Sequence, residues 1–227
     1  MNRALVVAPH PDDDVLGCGE YLSHAFARGE VVRIIYLTDG AASHPHSTQY
    51  PPERLVALRE TEARHAIAEL GGADAELTFL RLPDGALNEL PPTSRDTTIA
   101  TLTNVIERWQ PTIVFVPWRR DPHPDHVVTS LLVRTALERS TRKPQTLEYS
   151  VWLGIRGEDD DAPNDRETSA VTFTASAEDK RSKRRALLEH RSQTTDLIGD
   201  DPAGFTMSPE LIEQFLAQPE IFHESAS

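Results

Sequence analysis

Two short runs hold the ionisable side chains best placed to act together: His10-Pro11-Asp12-Asp13-Asp14 near the start of the chain and His123-Pro124-Asp125-His126 past its middle. Imidazole nitrogens and carboxylate oxygens that leave one coordination position open suit a catalytic zinc ion. A structural zinc site draws more often on several cysteines, and this chain has one. Adjacent carboxylates such as Asp12 and Asp13 do not easily serve the same role. A division of labour follows, in which one binds metal and the other takes a proton from the water on it. Pro124 suits the first position of a helix, which sets His123 near the cap and His126 in the first turn, three apart and facing one way. A single His-Pro or Asp-Asp pair is ordinary turn chemistry. Two such clusters, each just past an expected strand, point to a site.

The elements that must position these clusters read as α/β. Residues 4–8 form an apolar run ended by Pro9, and 31–37 repeat the pattern before Thr38-Asp39-Gly40, so both read as buried parallel strands closed by turns. A helix over 15–28 between them completes a strand, helix, strand unit with a right-handed crossover. A second helix is expected over 53–70, with Pro51-Pro52 before it and Gly71-Gly72 after it. Val56, Ala63, Ile67 and Leu70 recur there at helical spacing, and Arg59 falls in the same stripe with Glu62 one turn on. Further strands are expected at 77–82, 113–117 and 146–152, and further helices at 97–109, 125–138, 176–191 and 208–217. The acidic stretch 157–167, GEDDDAPNDRE, reads as an exposed loop. Both clusters then lie at the carboxyl ends of strands, where open α/β sheets bind ligands, and should meet on one edge. Gly17 and Gly19 are a fragment of a dinucleotide fingerprint without its third glycine, and helix packing accounts for them better. Cys18 reads as a small buried side chain.

At 227 residues and 38% hydrophobic content the chain fits one domain over 1–227. A formal charge of −13, from 36 acidic and 23 basic residues, opposes binding to nucleic acid phosphates or anionic membranes through the overall field. No run is long enough to span a membrane, and the N-terminal apolar run is too short for a signal peptide. With a single cysteine, the cytoplasm is the expected compartment. The sequence does not fix the oligomeric state, and a homo-oligomer is compatible with it.

Several pieces together resemble the LmbE-like or PIG-L-like N-acetylglucosaminyl deacetylases, which include enzymes acting on N-acetylglucosaminyl-phosphatidylinositol and on mycothiol and bacillithiol precursors. They are Ala8-Pro9-His10-Pro11-Asp12-Asp13, Leu37-Thr38-Asp39-Gly40, Arg59 with Glu62, Leu82-Pro83-Asp84-Gly85, His123-Pro124-Asp125-His126, and Lys183 through His190-Arg191-Ser192-Gln193. The resemblance covers most of the chain. It implies a Rossmann-like three-layer sandwich and zinc, with another divalent metal left open, on His10, Asp13 and His126. It further implies Asp12 as general base, His123 as the electrophilic or acid group supported by Asp125, and an N-acetylated amino-sugar conjugate as substrate. Asp14 departs from the family's usual glutamate and keeps a carboxylate on a shorter arm. Arg59 and Asp84 are candidate substrate contacts. Arg119 and its neighbour Arg120 are candidates for a phosphate or carboxylate on the substrate, and Trp118 for an aromatic wall against a sugar ring. The loop containing His44 and His46 is a candidate cover for the site. Two rivals are a magnesium-dependent phosphoesterase or sugar-nucleotide enzyme using Asp12-Asp13-Asp14, and a metal-binding scaffold without turnover.

Overall fold

The computed structural model describes residues 2–225. In chain order its elements are β1 (Arg3–Ala8), α1 (Asp13–Ala27), β2 (Val31–Thr38), α2 (Pro52–Glu69), β3 (Glu76–Leu82), α3 (Pro92–Trp109), β4 (Ile113–Pro117), α4 (Pro124–Arg139), β5 (Gln145–Tyr149), α5 (Leu153–Arg156), β6 (Thr168–Thr172), α6 (Ala177–Glu189), α7 (Arg191–Thr194), α8 (Pro209–Ala217) and β7 (Ile221–Ser225). The strands form one seven-stranded sheet in the order β3-β2-β1-β4-β5-β7-β6. β1 pairs in parallel with β2 on one side (Ala4 opposite Val32) and with β4 on the other (Ala4 opposite Ile113).

Alternation along β1 sorts its buried side chains onto two faces. Ala4, Val6 and Ala8 pack with Val15, Leu22, Ala63, Ile67 and Leu187 from α1, α2 and α6, while Leu5 and Val7 pack with Ile99, Leu102, Leu132 and Val133 from α3 and α4. Helices on both faces of a mostly parallel sheet make the expected three-layer α/β sandwich. Gly17 and Gly19 permit close packing at α1: a Cβ on Gly17 would stand 2.2 Å from the Tyr149 ring, and one on Gly19 would stand 2.9 Å from Lys183 Cγ. Helix packing is therefore their role.

The largest differences from the sequence expectation are at β5, at α3 and in two further strands. The strand expected over 146–152 stops at Tyr149, because the chain bends so that the amides of Val151 and Trp152 both donate to Asp121 Oδ2, each at 3.0 Å. α3 starts at Pro92, five residues early, since Pro91-Pro92 opens the helix as Pro51-Pro52 opens α2. β7 and β6 were not expected as strands; they extend the sheet in antiparallel sense, with Tyr149 opposite Phe222 and Ala170 opposite His223. Both are five residues long, and β6 at the sheet edge is largely exposed, so neither carries a buried-strand pattern.

Candidate metal centre

β1 and β4 are neighbours in the sheet, so the segments leaving their carboxyl ends meet. After β1 the chain turns through His10-Pro11-Asp12 and enters α1 at Asp13. Asp13 Oδ2 accepts the His10 backbone amide at 2.9 Å, and the same oxygen is 2.9 Å from His10 Nδ1 and 3.2 Å from His126 Nε2. After β4, Pro124 opens α4 and His123 caps it, its Nδ1 accepting the Asp125 amide at 3.2 Å. With Nδ1 acting as acceptor, a neutral His123 ring carries its proton on Nε2. Ligand atoms of His10, His123 and His126 lie within 4.8 Å of one another, and so do those of His10, Asp84 and Asp125.

The donor set fits a divalent cation. His126 is fully buried and its Nε2 has no hydrogen-bond partner among the described residues, yet it faces Asp13 Oδ2. Ligand atoms around a tetrahedral zinc with bonds of about 2.0–2.1 Å stand about 3.3–3.4 Å apart. The separations of 2.9 and 3.2 Å centred on Asp13 Oδ2 are near that edge. Asp121 supports the set from behind: its Oδ1 is 3.2 Å from His126 Nδ1 and accepts the His123 amide at 3.1 Å.

Electrostatics follow from packing carboxylates and imidazoles together out of water. Burial works against the Asp13 charge, but the His126 and His10 imidazoles overcome it and hold the carboxyl well below the usual range. Burial likewise opposes charge on His126, yet Asp13 and Asp121 raise it to about 9. His123, facing the other two imidazoles, is pushed by burial and then by their charge down to about 4. Burial pushes Asp12 up to about 7 against the pull of Arg59. Asp14, whose Oδ2 accepts the Tyr36 hydroxyl at 2.9 Å, also rises to about 7 through burial. Its carboxylate is thus turned to Tyr36.

Arg59 is nearly fully buried and does not pair with Glu62. Its Nη2 donates to Asp12 Oδ2 at 3.0 Å and to the Pro11 carbonyl at 3.1 Å, and its Nη1 donates to the Gly40 carbonyl at 2.8 Å. Gly40 has φ 69°, and a Cβ there would stand 2.7 Å from Arg59 Nη1, so the turn after β2 needs glycine twice over. Glu62 instead accepts the Ser192 amide at 2.8 Å and its hydroxyl at 2.6 Å.

A cavity of about 230 Å³ opens onto this cluster, with His10, Asp12, Asp13, Arg59, Asp84 and His123 on its polar side. Residues 5–137, which carry both clusters, match the PIG-L family, described as GlcNAc-PI de-N-acetylases. The chain belongs to that family. Over 158 residues it is 30% identical to a 1D-myo-inositol 2-acetamido-2-deoxy-alpha-D-glucopyranoside deacetylase from Mycobacterium sp. (strain KMS), an alignment covering 61% of this chain and 51% of the relative. The chain thus spans about half the length of the curated relatives it matches. Its fold is shared with an N,N'-diacetylchitobiose deacetylase from Pyrococcus horikoshii (24% identity, TM-score 0.67, 95% of this chain and 75% of that one). It is shared also with the teicoplanin deacetylase Orf2 in a zinc-inhibited form (19% identity, TM-score 0.72, 99% and 98%).

Within this PIG-L chain the other expected contacts divide. Asp84 lines the cavity, its Oδ1 3.0 Å from His10 Nε2 and its Oδ2 accepting the Ala42 amide at 2.9 Å. The Asp125 carboxylate makes no hydrogen bond to the His123 ring, since it accepts the amides of Gly85 and Leu87 and lies 3.4 Å from His10 Nε2, but its negative charge still opposes the downward shift of His123. Trp118 is no cavity wall: it is fully buried and its Nε1 donates to the Asp161 carbonyl at 2.7 Å. Arg119 is held on Glu148 (Nε to Oε2 2.9 Å) and Arg120 on Glu167 (3.0 Å), both outside the cavity lining. Of the loop at 43–47, Ser43 reaches the cavity, while the His44 ring packs against Gly204. Sequence reasoning missed Leu16, Trp152, Arg156, Phe205 and Met207, which line the cavity together with Ala42, Gly85 and Gln193. Trp152 and Arg156 follow the carboxyl end of β5, but the strand expected over 146–152 has Trp152 as its last residue, so no local signal sets it in the cavity.

No helix among the described residues is long and apolar enough to cross a membrane.

Proposed function

We propose that this chain is a metal-dependent N-deacetylase that releases acetate from the N-acetylglucosamine moiety of a small conjugate, its residues 1–227 forming one catalytic domain. The reading rests above all on Asp13 Oδ2, set between His10 Nδ1 and the otherwise unpartnered His126 Nε2, with Asp12 lining the same cavity. His10, Asp13 and His126 would hold the cation. Zinc, or another divalent ion, would supply Lewis acidity toward the attacking water and the amide carbonyl when bound.

The remaining work falls to the side chains. Asp12, fixed by the Arg59 fork, takes a proton from the attacking water as the new C–O bond forms. His123, with its proton on Nε2, donates toward the carbonyl oxygen as negative charge develops there. The C–N bond then breaks, and the amine nitrogen receives the proton that Asp12 removed. Asp84 and Asp125 act on His10 and on the loop at 84–87, so they position the centre rather than exchange protons with substrate. Similarity to deacetylases of amino-sugar compounds favours the same substrate class. Because one of them is described in a zinc-inhibited form, metal loading should be titrated rather than saturated.

The test is to strip the protein of metal, reload it with zinc, cobalt or magnesium, and incubate it with N-acetylglucosamine conjugates while mass spectrometry follows loss of the acetyl group. Metal-dependent amine release is expected. Phosphate release, or metal uptake with no turnover of any acetamide, would overturn the reading.

A further inference from the structure

Beside the metal cluster, the cavity is lined by residues that the chemistry does not use. Leu16, Trp152, Phe205 and Met207 present apolar surface there, with the Trp152 ring edge-on to Phe205 at 5.9 Å. About 230 Å³ is enclosed, less than the roughly 300–1,000 Å³ of pockets that engulf a drug-sized ligand. An amino sugar presented acetamide-first therefore occupies the enclosed part, and whatever is attached to it passes over the rim. Arg156 stands on that rim, lining the cavity yet exposed to solvent.

Two cations line the cavity, and they differ. Arg59 is buried and commits its donors to Asp12, Pro11 and Gly40. Arg156 forms no ion pair among the described residues, in contrast to Arg119 and Arg120 on the neighbouring surface. Its guanidinium carbon lies 4.1 Å from the centroid of the Trp152 ring, and the α5 turn holds the two together, the Arg156 amide donating to the Trp152 carbonyl at 2.8 Å. Stacking occupies the face of the planar guanidinium and leaves its edge N–H groups for a ligand. Arg156 is thus a cation without an ion-pair partner among the described residues, at the mouth of a cavity in a chain of formal charge −13.

We propose that Trp152 and Arg156 form a subsite for an anionic aglycone, so that the substrate is an amino sugar linked to a group bearing phosphate or carboxylate. The sugar end of this inference rests on the deacetylase reading; the anion preference rests on the rim. The apolar body of the aglycone lies against Trp152 and Phe205, and its anion takes the guanidinium edge.

The experiment compares N-acetylglucosaminides that share a phenyl aglycone and differ in one substituent: none, carboxylate, phosphate or aminomethyl. kcat/KM is read by amine release on the metal-loaded wild type, R156Q and R156E proteins. Dissociation constants for the same glycosides are read by calorimetry on metal-loaded Asp12→Asn protein with and without R156Q. The wild type should favour the anionic glycosides over the neutral one by about tenfold. R156Q should bring that ratio near one, and R156E should invert it toward the aminomethyl glycoside. The carboxylate and phosphate arms separate the two sources of anion. Turnover without anion preference, or a preference unchanged in R156Q, overturns the subsite and leaves the deacetylase reading standing. Anion-selective binding without turnover by any wild-type preparation overturns the deacetylase reading and leaves the subsite. Neither turnover nor selective binding overturns both.

Discussion

The matched segment, residues 5–137, and the chain beyond it line one cavity with different materials. The first contributes histidines, carboxylates and Arg59, buried and fixed by bonds within and between the turns after β1, β2 and β4. The second contributes Trp152, Phe205, Met207 and an exposed Arg156. On the proposed function, the difference separates reaction from recognition. Side chains that would hold a cation and a proton within tenths of an ångström have many hydrogen-bond partners, whereas Trp152, Arg156, Phe205 and Met207 are anchored through their backbone amides and leave their side chains to packing and stacking.

The comparison can be broken most decisively at Asp12. Asp12→Asn should lower kcat by about 10²–10⁴-fold, by a similar factor for every aglycone, with metal content unchanged by elemental analysis. An aglycone-dependent loss would merge the two regions. A second break lies at His190, fully buried between α6 and α7 with neither ring nitrogen hydrogen-bonded among the described residues. Burial, then the charge on Arg59, pushes it down to about 3, while the nearby Asp13 pulls the other way. Its folded pKa lies below the unfolded value of about 6.5, so the unfolded chain binds the extra proton. Stability should therefore fall as pH drops from about 6.5 toward 3, by up to about 1.4 kcal/mol per unit. His190→Gln should flatten that slope in thermal melts, and an unchanged slope would assign the acid sensitivity elsewhere. Next, Gly17→Ala should cost about 1–3 kcal/mol in urea unfolding by driving α1 off Tyr149; a neutral result would show that the two regions do not lean on each other there. The smallest effect is expected at Trp152→Leu. A contact worth about 0.5–1.5 kcal/mol should change the ratio of kcat/KM between aryl and methyl glycosides severalfold, and a uniform change would remove Trp152 from recognition.

Legibility in the sequence followed the same division. His10, Asp13 and His126 could be read because each cluster stands just past a hydrophobic run, and adjacent strand ends bring such runs together. The same hydrophobic runs showed the α/β class, and the family resemblance supplied the three-layer sandwich. The bond from Arg59 to Asp12 was not, since it joins residues 47 apart and depends on how α2 lies against the turn after β1. Trp118 and Trp152 both follow strands, and nothing local says which one turns inward. The choice is made by Asp121, whose carboxylate ends β5 early by taking the amides of Val151 and Trp152. Phe205 and Met207 lie in a polar loop whose placement depends on distant partners, with the Phe205 amide donating to the Ser43 carbonyl and the Met207 amide to that of Gln193.

Asp121 ties one oxygen to the surroundings of His126 and the other to the backbone that carries Trp152. Because that tie holds main chain and not side chain, residues 152 and 156 can be exchanged without moving the metal ligands. On the proposed function, single substitutions at 152 and 156 should alter the aglycone preferred while the residues that would hold the metal stay in place. Loss of the carboxylate would couple every such change to the reaction centre.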